Sequence, residues 1–157
     1  MNSKILRLTV ISFLLSGCSL SGGPEEMATR QMVGTFIASI DRGDKDLAYA
    51  CLMDIPAFKT LNPDASARLD AENYSEEVLS NLIDSWRALV THFEGRSVKM
   101  TKFVLGDPWY QYKGHPAFVD NEVTVMVDKE EITFPIRGIV RIGDSWRIVD
   151  LSGTDLY

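Results

Sequence analysis

Val90-Thr91-His92-Phe93-Glu94-Gly95-Arg96-Ser97-Val98-Lys99-Met100 is the stretch at which the chain changes its hydrophobic period. Upstream of it, Val78, Leu79, Leu82, Ile83, Trp86, Leu89, Val90 and Phe93 recur at the spacing that lines one face of a helix. Asn73, with Glu76 three residues on, reads as a capping-box-like start, and Gly95 as the stop. Downstream the period falls to about two. Val98 and Met100, then Phe103 and Leu105, predict a first strand with a phase slip near Lys102. One long helix running into strands fixes the order of the whole chain.

The strands continue to the end. Gly106-Asp107-Pro108 interrupts the first, and Trp109-Tyr110-Gln111-Tyr112 either extends it or forms a loop. Lys113-Gly114-His115-Pro116 is a turn. A strand follows over residues 117–127, with Val119, Val123, Val125 and Val127, and a turn at 128–130. Ile132, Phe134, Ile136, Val140 and Ile142 predict a long strand in which Pro135 must face an edge or a bulge, because it has no N–H for the ladder. Gly143-Asp144 is a two-residue hairpin turn into a last strand through Trp146 and Ile148 to Leu151.

Helices precede the strands. Met32, Val33, Phe36, Ile37 and Ile40 make the apolar face of a first helix over residues 25–42, ended by Gly43. Asp44 is placed to cap a short helix through residue 53, with Leu47, Ala48, Cys51 and Leu52 inward. Pro56 is read as its stop, with Ile55 extended before it, and Asn62-Pro63 as the start of a further turn. Helices first and an antiparallel meander second define an α+β fold. Each helix carries one apolar face, so the helices pack on one side of a curved antiparallel sheet of about four strands, and the sheet curls into a cone.

The first residues belong to something else. Lys4 and Arg7 precede an apolar run over residues 5–15. The run is shorter than the roughly 20 residues a membrane span needs, but it suits the apolar region of a secretory leader. It ends in Leu15-Ser16-Gly17-Cys18, which resembles the bacterial lipobox. That resemblance implies a diacylglyceryl group on the Cys18 thiol, typically palmitate-rich, and cleavage between Gly17 and Cys18. Ser19 in place of Asp then favours the periplasmic face of the outer membrane; in a Gram-positive cell the same anchor means the outer face of the plasma membrane. Residues 1–17 are thus a leader, residues 18–26 a lipidated tether rich in Gly and Ser, and residues 27–157 one domain. Residues 19–26 span at most about 30 Å, which holds the domain close to the bilayer.

Charge narrows the partners. The 157 residues carry 16 basic and 22 acidic side chains, a formal net charge of −6, and loss of Lys4 and Arg7 takes it to −8. Such a surface disfavours nucleic acid and anionic headgroups. The membrane is therefore reached through the lipid on Cys18. With Cys18 acylated, Cys51 has no intramolecular partner and reads as a small buried apolar residue. The acidic pairs Glu76-Glu77 and Glu130-Glu131 read as solvated surface.

The element order looks like the nuclear transport factor 2-like superfamily, the cone fold shared with ketosteroid isomerase and scytalone dehydratase. Three features carry the likeness. A first helix runs into Asp41-Arg42-Gly43-Asp44 and then Leu47-Ala48; a long third helix follows; and Gly143-Asp144-Ser145-Trp146-Arg147-Ile148-Val149-Asp150 is similar to the family's closing strand. The likeness covers about residues 25–151. It implies a cone with a pocket, not an activity. Isomerase chemistry of this type needs a Tyr on the first helix, and there is none; Tyr49 lies on the second. Dehydratase chemistry needs clustered His, Tyr and Asp, and the chain has two histidines, His92 and His115. Their separation offers no metal-ligand spacing, so no metal or cofactor is expected.

The remaining candidates are aromatic. Trp109, Tyr110 and Tyr112, with Phe118 nearby, either rim the mouth of the cone and contact an apolar ligand or partner protein, or alternate between core and edge. Three readings of function stand: a lipid-anchored ligand- or protein-binding module without catalysis; a hydrolase, dehydratase or isomerase of small molecules; and a structural accessory of an envelope complex. Convergence of two titratable groups on one cavity separates the second from the others.

Overall fold

Pro24 starts the first helix because a proline at the first helical positions lacks only an N–H that would have no partner there. A computed structural model of the chain describes residues 23–66, 71–109, 112 and 114–152, with the side chains of 65, 66 and 71–76 left aside. Helix α1 spans Pro24–Arg42, with Glu25 and Glu26 in the first turn, where the helix dipole favours carboxylates. Its buried stripe is Val33, Phe36, Ile37 and Ile40. Gly43 ends it at φ +62°, donating to the Ile40 carbonyl, while the Asp44 N–H reaches the Ser39 carbonyl at 2.9 Å. Asp44 then caps α2 (Lys45–Cys51), its carboxylate accepting from the Asp46 and Leu47 N–H groups at 3.0 and 3.1 Å.

The next element differs from expectation. Helix α2 stops at Cys51, two residues early, because Leu52 and Met53 turn extended and join the edge of the last strand. Leu52 bridges Ile148 in parallel, and the Met53 N–H donates to the Ile148 carbonyl at 2.9 Å. Pro56 does not terminate a helix but sits in the first turn of a new one, α3 (Ile55–Leu61), capped by the Asp54 carboxylate at 2.8 Å from the Ala57 N–H. Helix α4 is the short turn Pro63–Ser66. Helix α5 runs Ala71–His92, so its backbone is already helical two residues before Asn73. The cap expected of Asn73 and Glu76 lies in side chains outside the described residues.

Five antiparallel strands follow: β1 Val98–Val104, β2 Asp107–Pro108, β3 Ala117–Val127, β4 Glu130–Ile142 and β5 Ser145–Asp150. The spatial order is β1-β3-β4-β5, with β2 beside the first residues of β3. The phase slip near Lys102 is a register shift between Met100 and Lys102. A second shift falls between Gly138 and Ile139. Such irregularities bend strands and raise local twist, so the open sheet is curved. Pro135 pairs with Glu122 of β3, and β5 begins its pairing only at Gly138, so the other side of Pro135 lies beyond the end of β5. Asp128 and Gly143 supply the left-handed φ values of +57° and +61° at the two hairpin turns.

The helices cover one face of the sheet. Helix α1 lies along β1 and reaches β5, and α3 meets both β4 and α5. Between them is one apolar core that includes Phe36, Trp86, Phe103, Phe134, Ile136 and Ile148. The opposite face is polar, with the Thr124 and Thr133 hydroxyls 2.9 Å apart and Arg137 paired to Asp120. An α+β fold with a half-covered, curved antiparallel sheet is what the change of period predicts.

One polar link crosses the core. The Trp86 indole N–H donates to Ser39 Oγ at 3.0 Å, and that hydroxyl donates to the Phe36 carbonyl at 2.6 Å. Ser39→Ala removes the only acceptor this bond uses and leaves a buried indole N–H behind. Urea unfolding should show a loss of about 1–3 kcal/mol; a change below about 0.5 kcal/mol would mean that the indole finds another acceptor.

Candidate functional site

The interior between the helices and the sheet is filled by apolar side chains. Among the described residues three polar side chains are fully buried, Thr29, Ser39 and Asn121, and none of them titrates. Each serves the fold. Thr29 donates to the Glu25 carbonyl at 2.8 Å. Asn121 accepts from the Gly106 N–H at 3.0 Å and donates to the Phe118 and Ile136 carbonyls at 3.2 and 2.9 Å. Its carboxamide thereby ties the link between β1 and β2 to both β3 and β4. No three His, Cys, Asp or Glu residues gather into a metal-binding group among the described residues.

The aromatic cluster divides. The Trp109 N–H donates to the Ala117 carbonyl at 2.7 Å, which continues the β2–β3 ladder by one bond before the chain leaves as a loop. The Trp109 ring is 42 % exposed and meets the Tyr112 ring edge-on at 4.6 Å. Tyr112 is half-buried, and its carbonyl receives the His115 N–H at 2.9 Å. Phe118 instead packs against Trp146, with ring centroids 5.5 Å apart. The rings are thus shared between an exposed edge pair and the core. Tyr110 lies outside the described residues, as do Gly17 and Cys18.

His92 and the remaining cysteine have plain surroundings. His92 is exposed at the end of α5, its ring edge-on to Phe93 at 4.8 Å. Cys51 is buried, and its Sγ lies 3.5 Å from the Met32 carbonyl oxygen. Burial pushes the thiol up to about 11, against a smaller downward pull from the Arg147 guanidinium. A thiol held protonated in this way is a poor nucleophile, in keeping with the structural role expected of it.

Two hollows stand out on the surface formed by the described residues. The first, about 420 Å³, lies at the end of the sheet where α1 begins, lined by Glu25, Pro108, His115, Pro116 and Phe118. His115 is half-buried there, more enclosed than its Gly-His-Pro turn suggests. The second, about 400 Å³, lies between the α2–α3 junction and α5. Its walls are Tyr49, Leu52, Met53, Ile55, Leu79 and Ile83. Asp54 is the one carboxylate at this hollow among the described residues, and its Oδ1 is engaged in capping α3. Tyr49 is an exposed ring with the Lys45 ammonium 5.0 Å from its centroid. Sequence reasoning missed this second hollow. The available clue was Asp54 two residues before Pro56, which marks a helix start and so a junction packed against the long helix.

Taken together, these features define an α+β domain with helices on one face of an open antiparallel sheet and two surface hollows. No known protein family matches the chain, and no curated protein and no solved structure matches it.

Proposed function

We propose that the chain is a lipid-anchored envelope protein, tethered through Cys18 after removal of residues 1–17, whose domain is a non-catalytic binding module of the nuclear transport factor 2-like kind. The leader and its Leu15-Ser16-Gly17-Cys18 box support the anchor, with the outer membrane favoured by Ser19. The order of elements and the closing Gly143-to-Asp150 strand support the fold relationship. The observation that carries the binding reading is the second hollow: an apolar recess of about 400 Å³, beside an interior whose buried polar groups, among the described residues, all serve the fold. Such a recess suits an apolar ligand or an apolar segment of a partner protein. The acidic surface turns nucleic acid away.

A pocket enzyme is the second reading, and one observation favours it. Glu25 and His115 both reach the first hollow, and two titratable groups at one cavity are the least a proton-transfer reaction requires. That hollow lies at the end of the sheet and not in the cone interior where the family's enzymes work.

Leu79→Gln tests the binding reading. Leu79 is half-buried on the wall of the second hollow, so a carboxamide there faces any apolar occupant without a partner. Leaving a polar group unpaired costs roughly 1–3 kcal/mol. The apolar fluorophore N-phenyl-1-naphthylamine should bind the wild-type protein and bind the variant about tenfold more weakly. Equal binding by both proteins, with unchanged unfolding midpoints, would remove the hollow from consideration.

A further inference from the structure

We propose that the end of the domain carrying Trp109 and Tyr112 rests on the bilayer, with these rings in the headgroup layer. This rests on the anchor reading and extends it from attachment to orientation. The tether is short. From Cys18 to Pro24 the chain spans at most about 20 Å when fully extended. The acylated sulfur lies at the membrane surface, so the start of α1 must stay within that distance of it.

The aromatic pair lies at the same end of the molecule. Glu25, in the first turn of α1, lines one hollow together with Pro108, His115, Pro116 and Phe118. Trp109 follows Pro108 directly and is held to Ala117 of that same wall by a 2.7 Å backbone bond. A leash that brings Glu25 to the membrane therefore brings Trp109 with it. Trp109 is one of four large exposed apolar side chains among the described residues, and the one braced by a second aromatic ring.

Tryptophan and tyrosine suit this position. Their rings combine an apolar body with a polar N–H or O–H, and both are enriched at membrane–water interfaces. The surrounding charge selects the kind of surface. Glu25 and Asp107 are exposed at this end of the domain, so anionic headgroups are repelled and a zwitterionic surface is the fitting occupant. The carboxylates and His115 stay in the hydrated layer while the two rings enter the headgroups.

Trp109 also makes the docking measurable. The chain has three tryptophans, and the other two, Trp86 and Trp146, are 5 % and 7 % exposed in the core. Full-length lipidated protein is reconstituted into phosphatidylcholine vesicles whose acyl chains carry bromine near the glycerol. Trp109 emission should be quenched and the other two spared; Trp109→Phe should abolish the quenching, and adding phosphatidylglycerol should weaken it. Trp109→Ala should leave the melting temperature unchanged. Protein that floats with the vesicles but shows no quenching, or the same quenching in Trp109→Phe, overturns the docking and leaves the anchor intact. Protein that does not float overturns the anchor, and the orientation with it. A collapsed melting temperature for Trp109→Ala would show the ring to be core and also overturn the docking.

Discussion

Gly106→Ala should be the most damaging single-atom addition to this domain. A Cβ built on Gly106 lies 1.9 Å from the Val119 carbonyl oxygen and 2.7 Å from both the carbon and the oxygen of the Asp120 carbonyl. All three atoms are backbone of β3, which pairs with β4 on both sides of Asp120, so no side chain can swing aside. Relief requires the link between β1 and β2 to move away from β3. That movement breaks the 3.0 Å bond from the Gly106 N–H to Asn121, whose buried carboxamide would lose its backbone donor. Overpacking against backbone together with a buried unsatisfied group should cost about 3–5 kcal/mol. A domain of this size holds roughly 5–15 kcal/mol in all, so the urea midpoint should fall steeply or the variant fail to fold. Gly138→Ala is the comparison. There the close contact, 2.9 Å, is to a methyl of the Val149 side chain, which can rotate, and the loss should be smaller. Equal midpoints for Gly106→Ala and wild type would mean that β1 and β2 are not pressed against β3 at this point.

Much of this architecture was legible because burial follows period. Strand β3 has the bounds its alternating valines predict, and the bulge after Met100 is written as the slip from Val98 and Met100 to Phe103 and Leu105. Asp44 and Gly43 mark their helix ends by chemistry that acts within four residues. The α2–α3 junction was misread because two local rules competed. Pro56 can stop one helix or open another, and Asp54, as a cap, decided for opening. What ended α2 was not local at all: Leu52 and Met53 were drawn off by Ile148, nearly a hundred residues on. The second hollow was hidden for the same reason, since its walls come from α2, α3 and α5. The aromatic stretch has no period, so which rings face out depended on the loop between β2 and β3. Trp109 and Tyr112 went to the edge, and Phe118 went in against Trp146.

Cys18→Ser should change where the protein is found more completely than any other substitution. A serine hydroxyl cannot take the place of the thiolate in forming the thioether, so no diacylglyceryl group is added, and the cleavage that follows acylation should fail. The size of the effect comes from the lipid. Each buried CH₂ contributes about 0.8 kcal/mol, and while one acyl chain binds only marginally, two or more anchor stably. Apart from an apolar leader left uncleaved, the described residues offer little to replace this. No helix among the described residues is long and apolar enough to cross a membrane. With residues 1–17 removed as proposed, the net charge would be −8 and would provide no general attraction to anionic lipid. Interfacial contact through Trp109, as proposed, would orient a protein already attached and would be far too weak to retain one that is not. Wild-type protein should enter the detergent phase, incorporate labelled palmitate and yield an amino-terminal peptide that begins at Cys18. The variant should take up no label and either keep residues 1–17 or appear in the soluble fraction. A variant that still takes up label and still partitions into detergent as the wild type does would overturn the anchor, and with it the orientation proposed for the domain.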